Sequence, residues 1–105
     1  TSISPFDKKV YAAVREVPRG KVTTYGRLAR VLGCGSSRAV GQSLRRNPFA
    51  PRTPCHRVVC ADGSLGGYIG QTSGDRPREK KVLLDEEGVV FMANERIHSS
   101  CIIDL

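Results

Sequence analysis

Phe6, Val10, Ala13, Val14 and Val17 recur at helical spacing, so residues 5–17 predict an amphipathic helix whose apolar stripe faces a core. Ser4 can cap it, Pro5 suits the first turn, and Asp7 stands where a capping-box acid belongs. Pro18-Arg19-Gly20 ends it. Thr24 can cap a second helix, about 24–32, with Leu28, Val31 and Leu32 inward. Gly33-Cys34-Gly35 is a turn, and Ser36 or Ser37 can cap a third helix running to Arg46, with Val40 and Leu44 inward. Asn47-Pro48 stops that helix. Two short helices joined by a glycine turn, the second rich in arginine, make a helix-turn-helix pattern over about 24–46.

The pattern then changes. Residues 48–54 (PFAPRTP) hold three prolines and predict a rigid extended loop. His56–Cys60 reads as a short β-like run, Ala61-Asp62-Gly63-Ser64 as a turn, and the glycine-rich stretch 65–77 as a surface loop. Asp75 and Pro77 can open a last helix, about 76–87, on which Val82, Leu83 and Leu84 are apolar and Gly88 is the stop. VVFMA and RIHSSCIIDL predict two short terminal strands. No repeat, linker or low-complexity tract interrupts the 105 residues. The expectation is one small α+β domain, mostly helical, with a short β element near the C-terminus.

Charge sharpens this. Residues 15–57 carry ten Lys or Arg against a single acid, Glu16, whereas residues 58–105 carry five basic and eight acidic residues. A solvated surface mixes the signs; so one-sided a segment is the footprint of a face that binds a polyanion, with nucleic acid the first candidate. No apolar run is long enough to span a bilayer, and no membrane partner is expected. Nor does the N-terminus read as a secretory signal.

Cys34, Cys55, Cys60 and Cys101 contain no C-x-x-C pair, and His56 and His98 lie far apart, so neither a structural zinc nor any other cofactor is expected. Reduced thiols in an intracellular protein fit better, in the cytoplasm of a bacterium or archaeon or in a eukaryotic nucleus. Among the four, Cys55 stands apart. In TPCHRVVC (53–60) it follows a proline and precedes His56 and Arg57, and positive charge beside a thiol is expected to lower its pKa toward neutrality. Cys55 and His56 are neighbours, so on a regular strand their side chains would face opposite ways; their cooperation requires a turn or a bridging water.

PCHRVV at 54–59 resembles the active-site signature of the O6-alkylguanine-DNA alkyltransferases. Lys21-Val22-Thr23-Thr24-Tyr25, Ser37-Arg38-Ala39-Val40-Gly41, Arg46-Asn47-Pro48, Gly67-Tyr68 and Leu83-Leu84…Glu87-Gly88 stand in that family's order, over roughly residues 6–90. The resemblance implies a one-use repair reaction on double-stranded DNA carrying O6-alkylguanine, in which Cys55 takes the alkyl group and keeps it. His56 would relay the proton through a water, with Glu87 behind it. Tyr25 would push the target nucleotide out and protonate the guanine, and Asn47 would bridge the helix-turn-helix to the Cys55 loop. Arg38 would fill the gap left by the flipped base. Ser37, Ala39 and Gly41, being small, would let the third helix approach the minor groove. Lys21, Arg45, Arg46 and Arg52 would serve phosphates. Val58, Gly67, Tyr68 and Ile69 would line the base pocket.

Three features depart from the family pattern. Ile69 stands where a small polar residue is usual, Gln71 replaces a glycine, and the stretch 71–81 is longer, so the Glu87 assignment requires part of it to loop out. The family's N-terminal domain is missing, and the chain starts at Thr1 without methionine, which implies a minimal form or an excised domain. A monomer is expected. The related alkyltransferase-like proteins recognise the lesion without repairing it and mark it for nucleotide excision repair, with such repair proteins as their partners. They typically carry tryptophan or another non-acceptor where this chain has Cys55.

Overall fold

A computed structural model describes residues 3–47, 53–65 and 75–104. Four helices surround a two-stranded parallel sheet: α1 (Pro5–Arg15), β1 (Thr23–Thr24), α2 (Tyr25–Leu32), α3 (Ser37–Arg45), β2 (Val58–Val59) and α4 (Asp75–Glu86). The proline loop before residue 53 and the glycine-rich stretch from 66 to 74 lie outside the described residues, as do Arg52, Gly67, Tyr68, Ile69 and Gln71.

Local chemistry accounts for the helix boundaries. Ser4 and Asp7 form the capping box on α1. The helix ends two residues before the expected position because the residue preceding a proline is disfavoured in the helical region. The Val17 amide instead bonds the Val14 carbonyl (3.1 Å), and Val17 remains buried. The Thr24 hydroxyl accepts from the Arg27 amide to start α2, and Gly33, in the left-handed region at φ 69°, stops it. The Ser36 hydroxyl accepts from the Ala39 amide to start α3. The helix-turn-helix thus stands where its caps predict.

The sheet separates two apolar clusters. β1 and β2 pair in register Thr23–Val58 and Thr24–Val59. Successive residues of a strand face opposite ways, so Val58 joins Val10, Tyr11, Val14, Leu28, Ala29, Val40, Leu44 and Cys55. Val59 joins Val22, Leu84, Val89, Ile97 and Cys101. The helix-turn-helix and Cys55 therefore share one core, with α1 behind them.

Several expectations change. Val31, which periodicity places inward, is half exposed, as is the apolar Val82 of the last helix; Ala29 and Lys80 are buried on α2 and α4. The β-like run begins with a turn of 3₁₀ helix, Cys55–Arg57, and only Val58–Val59 are extended. The terminal strands reduce to single bridges, Phe91 with Ile97 and Val22 with Ile102, and Ser99–Cys101 form a second 3₁₀ turn capped by His98. The apolar residues of that tail fill the second cluster without forming a ladder. Glu95 at φ 65° turns the chain between the two bridge residues.

Candidate active site

Cys55 opens the 3₁₀ turn and is 4% exposed. That turn supplies the departure from strand geometry that Cys55 and His56 need to serve one site. The segment is pinned from the helix-turn-helix side: Asn47 Nδ2 donates to the Thr53 carbonyl at 3.0 Å, and the Cys55 amide donates to the same oxygen at 2.8 Å. The Asn47 side chain also hydrogen-bonds the Cys55 thiol. From α1, Arg15 Nε donates to Thr53 Oγ1 at 3.1 Å.

Behind Cys55 lies a charged array. Arg57 grips Glu87 with two parallel bonds, Nε to Oε1 at 2.9 Å and Nη2 to Oε2 at 2.7 Å, while its Nη1 donates to the Val17 carbonyl at 2.8 Å. His56 Nε2 lies 3.0 Å from Glu87 Oε2. Burial alone would raise the Glu87 carboxyl, but the hydrogen bonds from Arg57 and His56, with their charges, outweigh it and hold the group below its ordinary value. An ionised carboxylate can only accept, so Nε2 carries the imidazole hydrogen and Nδ1 is left as the acceptor. Nδ1 is buried with no hydrogen-bond partner among the described residues. Burial also pushes the His56 pKa down, against the raising effect of Glu87, so the ring is neutral at neutral pH and able to take a proton.

The approach of α4 to this array depends on the turn after α1. Gly20, at φ 88°, leaves the Glu87 carbonyl 3.1 Å from where a Cβ would stand, and Arg19 Nη2 donates to the Glu86 carbonyl. Glu87 thus reaches His56 across thirty-one positions of the chain.

The expected source of positive charge does not hold. His56 is neutral and Arg57 is committed to Glu87. Burial pushes the Cys55 thiol up, and the opposing influences are the Asn47 hydrogen bond and then the charge of Lys80. Lys80 is fully buried. Its Nζ donates to the Val58 carbonyl (2.8 Å) and the Leu65 carbonyl (2.6 Å) and lies 5.9 Å from the centre of the Tyr25 ring. Burial lowers its pKa to about 8, opposed by Cys55 and Cys60. Sequence reading misses this residue, although a signal is present: Lys80 lies four residues before Leu84 and so shares its inward stripe.

Tyr25, half-buried at the start of α2, has its phenol pushed up to about 12, first by burial and then by Cys60 and Cys55. It therefore stays protonated and can donate. Val58 is fully buried in the same cluster as Cys55, so its carbonyl, not its side chain, is what meets Lys80. On α3, Ser37, Arg38 and Arg45 are exposed and Ala39 and Gly41 half-buried; at helical spacing Ser37, Gly41, Arg45 and Arg38 share one face of small and basic residues. Lys21 Nζ donates to the Ser100 carbonyl (3.3 Å), and Arg46 pairs with Asp7. Among the described residues no helix is long and apolar enough to cross a membrane.

Residues 5–89 match the family of the 6-O-methylguanine DNA methyltransferase, DNA binding domain. A methylated-DNA–protein-cysteine methyltransferase of Thermococcus kodakarensis is 50% identical over 88 residues, which cover 83% of this chain and 47% of that protein. This chain spans about half the length of the relatives it matches by sequence. Among solved structures, the Mycobacterium tuberculosis OGT in complex with DNA superimposes with a TM-score of 0.74 at 36% identity, covering 83% of this chain and 52% of that one. The S. pombe Atl1, in complex with damaged DNA containing O6-carboxymethylguanine, superimposes with a TM-score of 0.79 at 30% identity over 100% of both chains.

Proposed function

Because the chain belongs to the 6-O-methylguanine DNA methyltransferase family, we propose that it removes the alkyl group from O6 of guanine in duplex DNA and keeps it on Cys55. The observation that carries this reading is the neutral His56 beside Cys55, its Nε2 fixed 3.0 Å from Glu87 and its Nδ1 buried without a partner among the described residues. Such a ring is a base with one basic nitrogen available, which is what a thiol with a raised pKa needs.

The step is a displacement at carbon. The Cys55 thiol gives its proton to His56 Nδ1 through an intervening water. The thiolate sulfur then bonds the alkyl carbon while the bond from that carbon to O6 breaks. The departing guanine takes a proton from the Tyr25 phenol, and the proton held on His56 then passes through solvent to the Tyr25 phenolate, which returns both side chains to their neutral forms. Lys80 and Asn47 stabilise the sulfur's negative charge before attack. The sulfur–carbon bond has no route back to the thiol, so each molecule acts once.

The exposed face of α3 would enter the minor groove, whose base code is degenerate, as suits a protein that must read damage at any sequence. Arg38 would occupy the space vacated by the flipped guanine, and Arg45 the phosphates. Lys21, Arg52 and the pocket residues Gly67, Tyr68 and Ile69 keep their phosphate and base-pocket roles within this reading. Arg38→Ala is expected to slow repair of a duplex roughly tenfold or more, since unstacking a base costs a few kcal/mol. Reaction with free O6-benzylguanine, which needs no flipping, should be unchanged. Equal losses on the two substrates would remove Arg38 from this role.

A second reading has its own support. The S. pombe Atl1 structure matches this chain end to end, and burial raises the Cys55 thiol. In that reading the chain binds O6-alkylguanine without transfer and marks it for nucleotide excision repair.

A further inference from the structure

Arg46 closes α3 beside the DNA-reading face, where a phosphate contact is the first expectation. Its guanidinium points elsewhere. Nη2 donates to Asp7 Oδ1 at 2.8 Å, and Ser43 Oγ donates to the same oxygen at 2.5 Å. Asp7 is buried near the start of α1, where it also completes the cap with Ser4. One turn further along α1, the Tyr11 phenol donates to the Ser43 carbonyl at 2.7 Å. The last turn of α3 is therefore tied to α1 at three points. Hydrogen bonds from Ser43 chiefly, then from Arg46 and the Ser4 backbone, keep the Asp7 carboxyl below its ordinary value against burial.

The neighbour of Arg46 gives this arrangement a use. Asn47 is the next residue along the chain, and it holds both the Thr53 carbonyl and the Cys55 thiol. Arg15, at the other end of α1, holds the Thr53 hydroxyl. We infer that Asp7, Ser43 and Arg46 are positioning residues: they lock the end of the DNA-reading helix onto α1 and thereby fix Asn47 against the acceptor cysteine. α1 is then the strut that keeps DNA contact and Cys55 in register. Arg46 serves the strut, and DNA phosphates are left to the other arginines. The inference rests on the proposed role of Cys55, and its test is arranged to separate the two.

Three variants, Asp7→Asn, Ser43→Ala and Arg46→Ala, are compared with the unmodified protein in two measurements. The first is the rate of Cys55 modification by iodoacetamide across the neutral to alkaline range, which needs no alkylated DNA. The second is the salt dependence of binding to an undamaged duplex. With the clamp as inferred, each variant slows iodoacetamide at neutral pH by up to roughly tenfold, as a hydrogen bond to the thiolate is misplaced. The pH profile moves to higher pH. Combining Asp7→Asn with Arg46→Ala adds little to either alone, and the salt slope is unchanged. The inference is overturned if Arg46→Ala lowers the salt slope by about one, as loss of a phosphate contact does, and leaves Cys55 reactivity intact. It is equally overturned if Asp7→Asn tightens DNA binding by releasing Arg46. Should Asp7→Asn fail to fold, Ser43→Ala removes one hydroxyl and no charge, and it must still shift the profile. Failure of the unmodified protein to take a methyl group from DNA would end the transfer reading while leaving the clamp measurements standing.

Discussion

Replacing Glu87 with glutamine is expected to slow alkyl transfer to Cys55 by about 10²–10⁴-fold, the range that a positioned general base supplies. The reason lies in how many groups converge on that carboxylate. Arg57 donates to both of its oxygens and His56 shares one of them. An amide has one accepting oxygen and one donating nitrogen, so in either orientation it sets a donor against Arg57. Its nitrogen turned toward His56 would select the imidazole tautomer with the hydrogen on Nδ1, where it cannot accept the thiol proton. The pH dependence gives a second, signed readout. Burial already depresses His56, and Glu87 opposes that depression. Without the carboxylate the ring's pKa falls further, so the acid limb of the rate profile should move to lower pH even as the maximum falls. Binding to an O6-methylguanine duplex should persist, because Glu87 lies behind the reacting atoms. A variant that keeps its transfer rate would remove His56 as the base.

The second large effect concerns Lys80. In Lys80→Met the side chain keeps nearly its length but loses its charge, and the Val58 and Leu65 carbonyls lose the donor that ties them together. A nearby opposite charge typically shifts an ionisable group by roughly one to three pKa units. Each unit added to Cys55 leaves about tenfold less thiolate at neutral pH. Transfer at neutral pH should therefore fall by at least about tenfold, and raising the pH should recover part of the loss. Lys80→Arg keeps the charge but must fit a larger planar head into a fully buried site. A rate that falls with no change in its pH dependence would show that Lys80 acts only through packing. Thermal unfolding belongs beside the kinetics, since orphaning two carbonyls lowers stability as well.

The parts of the molecule built from local chemistry were legible in the chain. Thr24, Gly33 and Ser36 mark the helix-turn-helix because a cap satisfies backbone groups within a few residues of itself. The Cys55, His56 and Glu87 grouping was legible from motif order, and the fold brings His56 and Glu87 together across thirty-one positions. What escaped were the buried charges. Asp7 and Lys80 lie on the same inward stripes as Val10 and Leu84, but a charged residue reads as a solvated one until its partners are known. Those partners, Ser43 and Arg46 for one and two backbone carbonyls for the other, are distant in sequence.

The same blindness misdirected the electrostatics. His56 and Arg57 adjoin Cys55 in the chain, yet one is neutral in the fold and the other faces Glu87; the cation that matters comes from α4. Val31 shows the converse error, an apolar residue that periodicity alone drew inward and the fold leaves half exposed. The terminal strands failed for a related reason. Burial in the second cluster rewards apolar residues whether or not a ladder forms, so β-rich composition did not mean strand.

The claim on which the rest depends is that Cys55 accepts the alkyl group. Incubation with a duplex bearing one O6-methylguanine, followed by intact-protein mass spectrometry, tests it directly. The predicted result is a single added methyl that maps to Cys55 and is absent from Cys55→Ser. Tight binding to that duplex with the mass unchanged would contradict transfer, and the chain would then be a reader of the lesion.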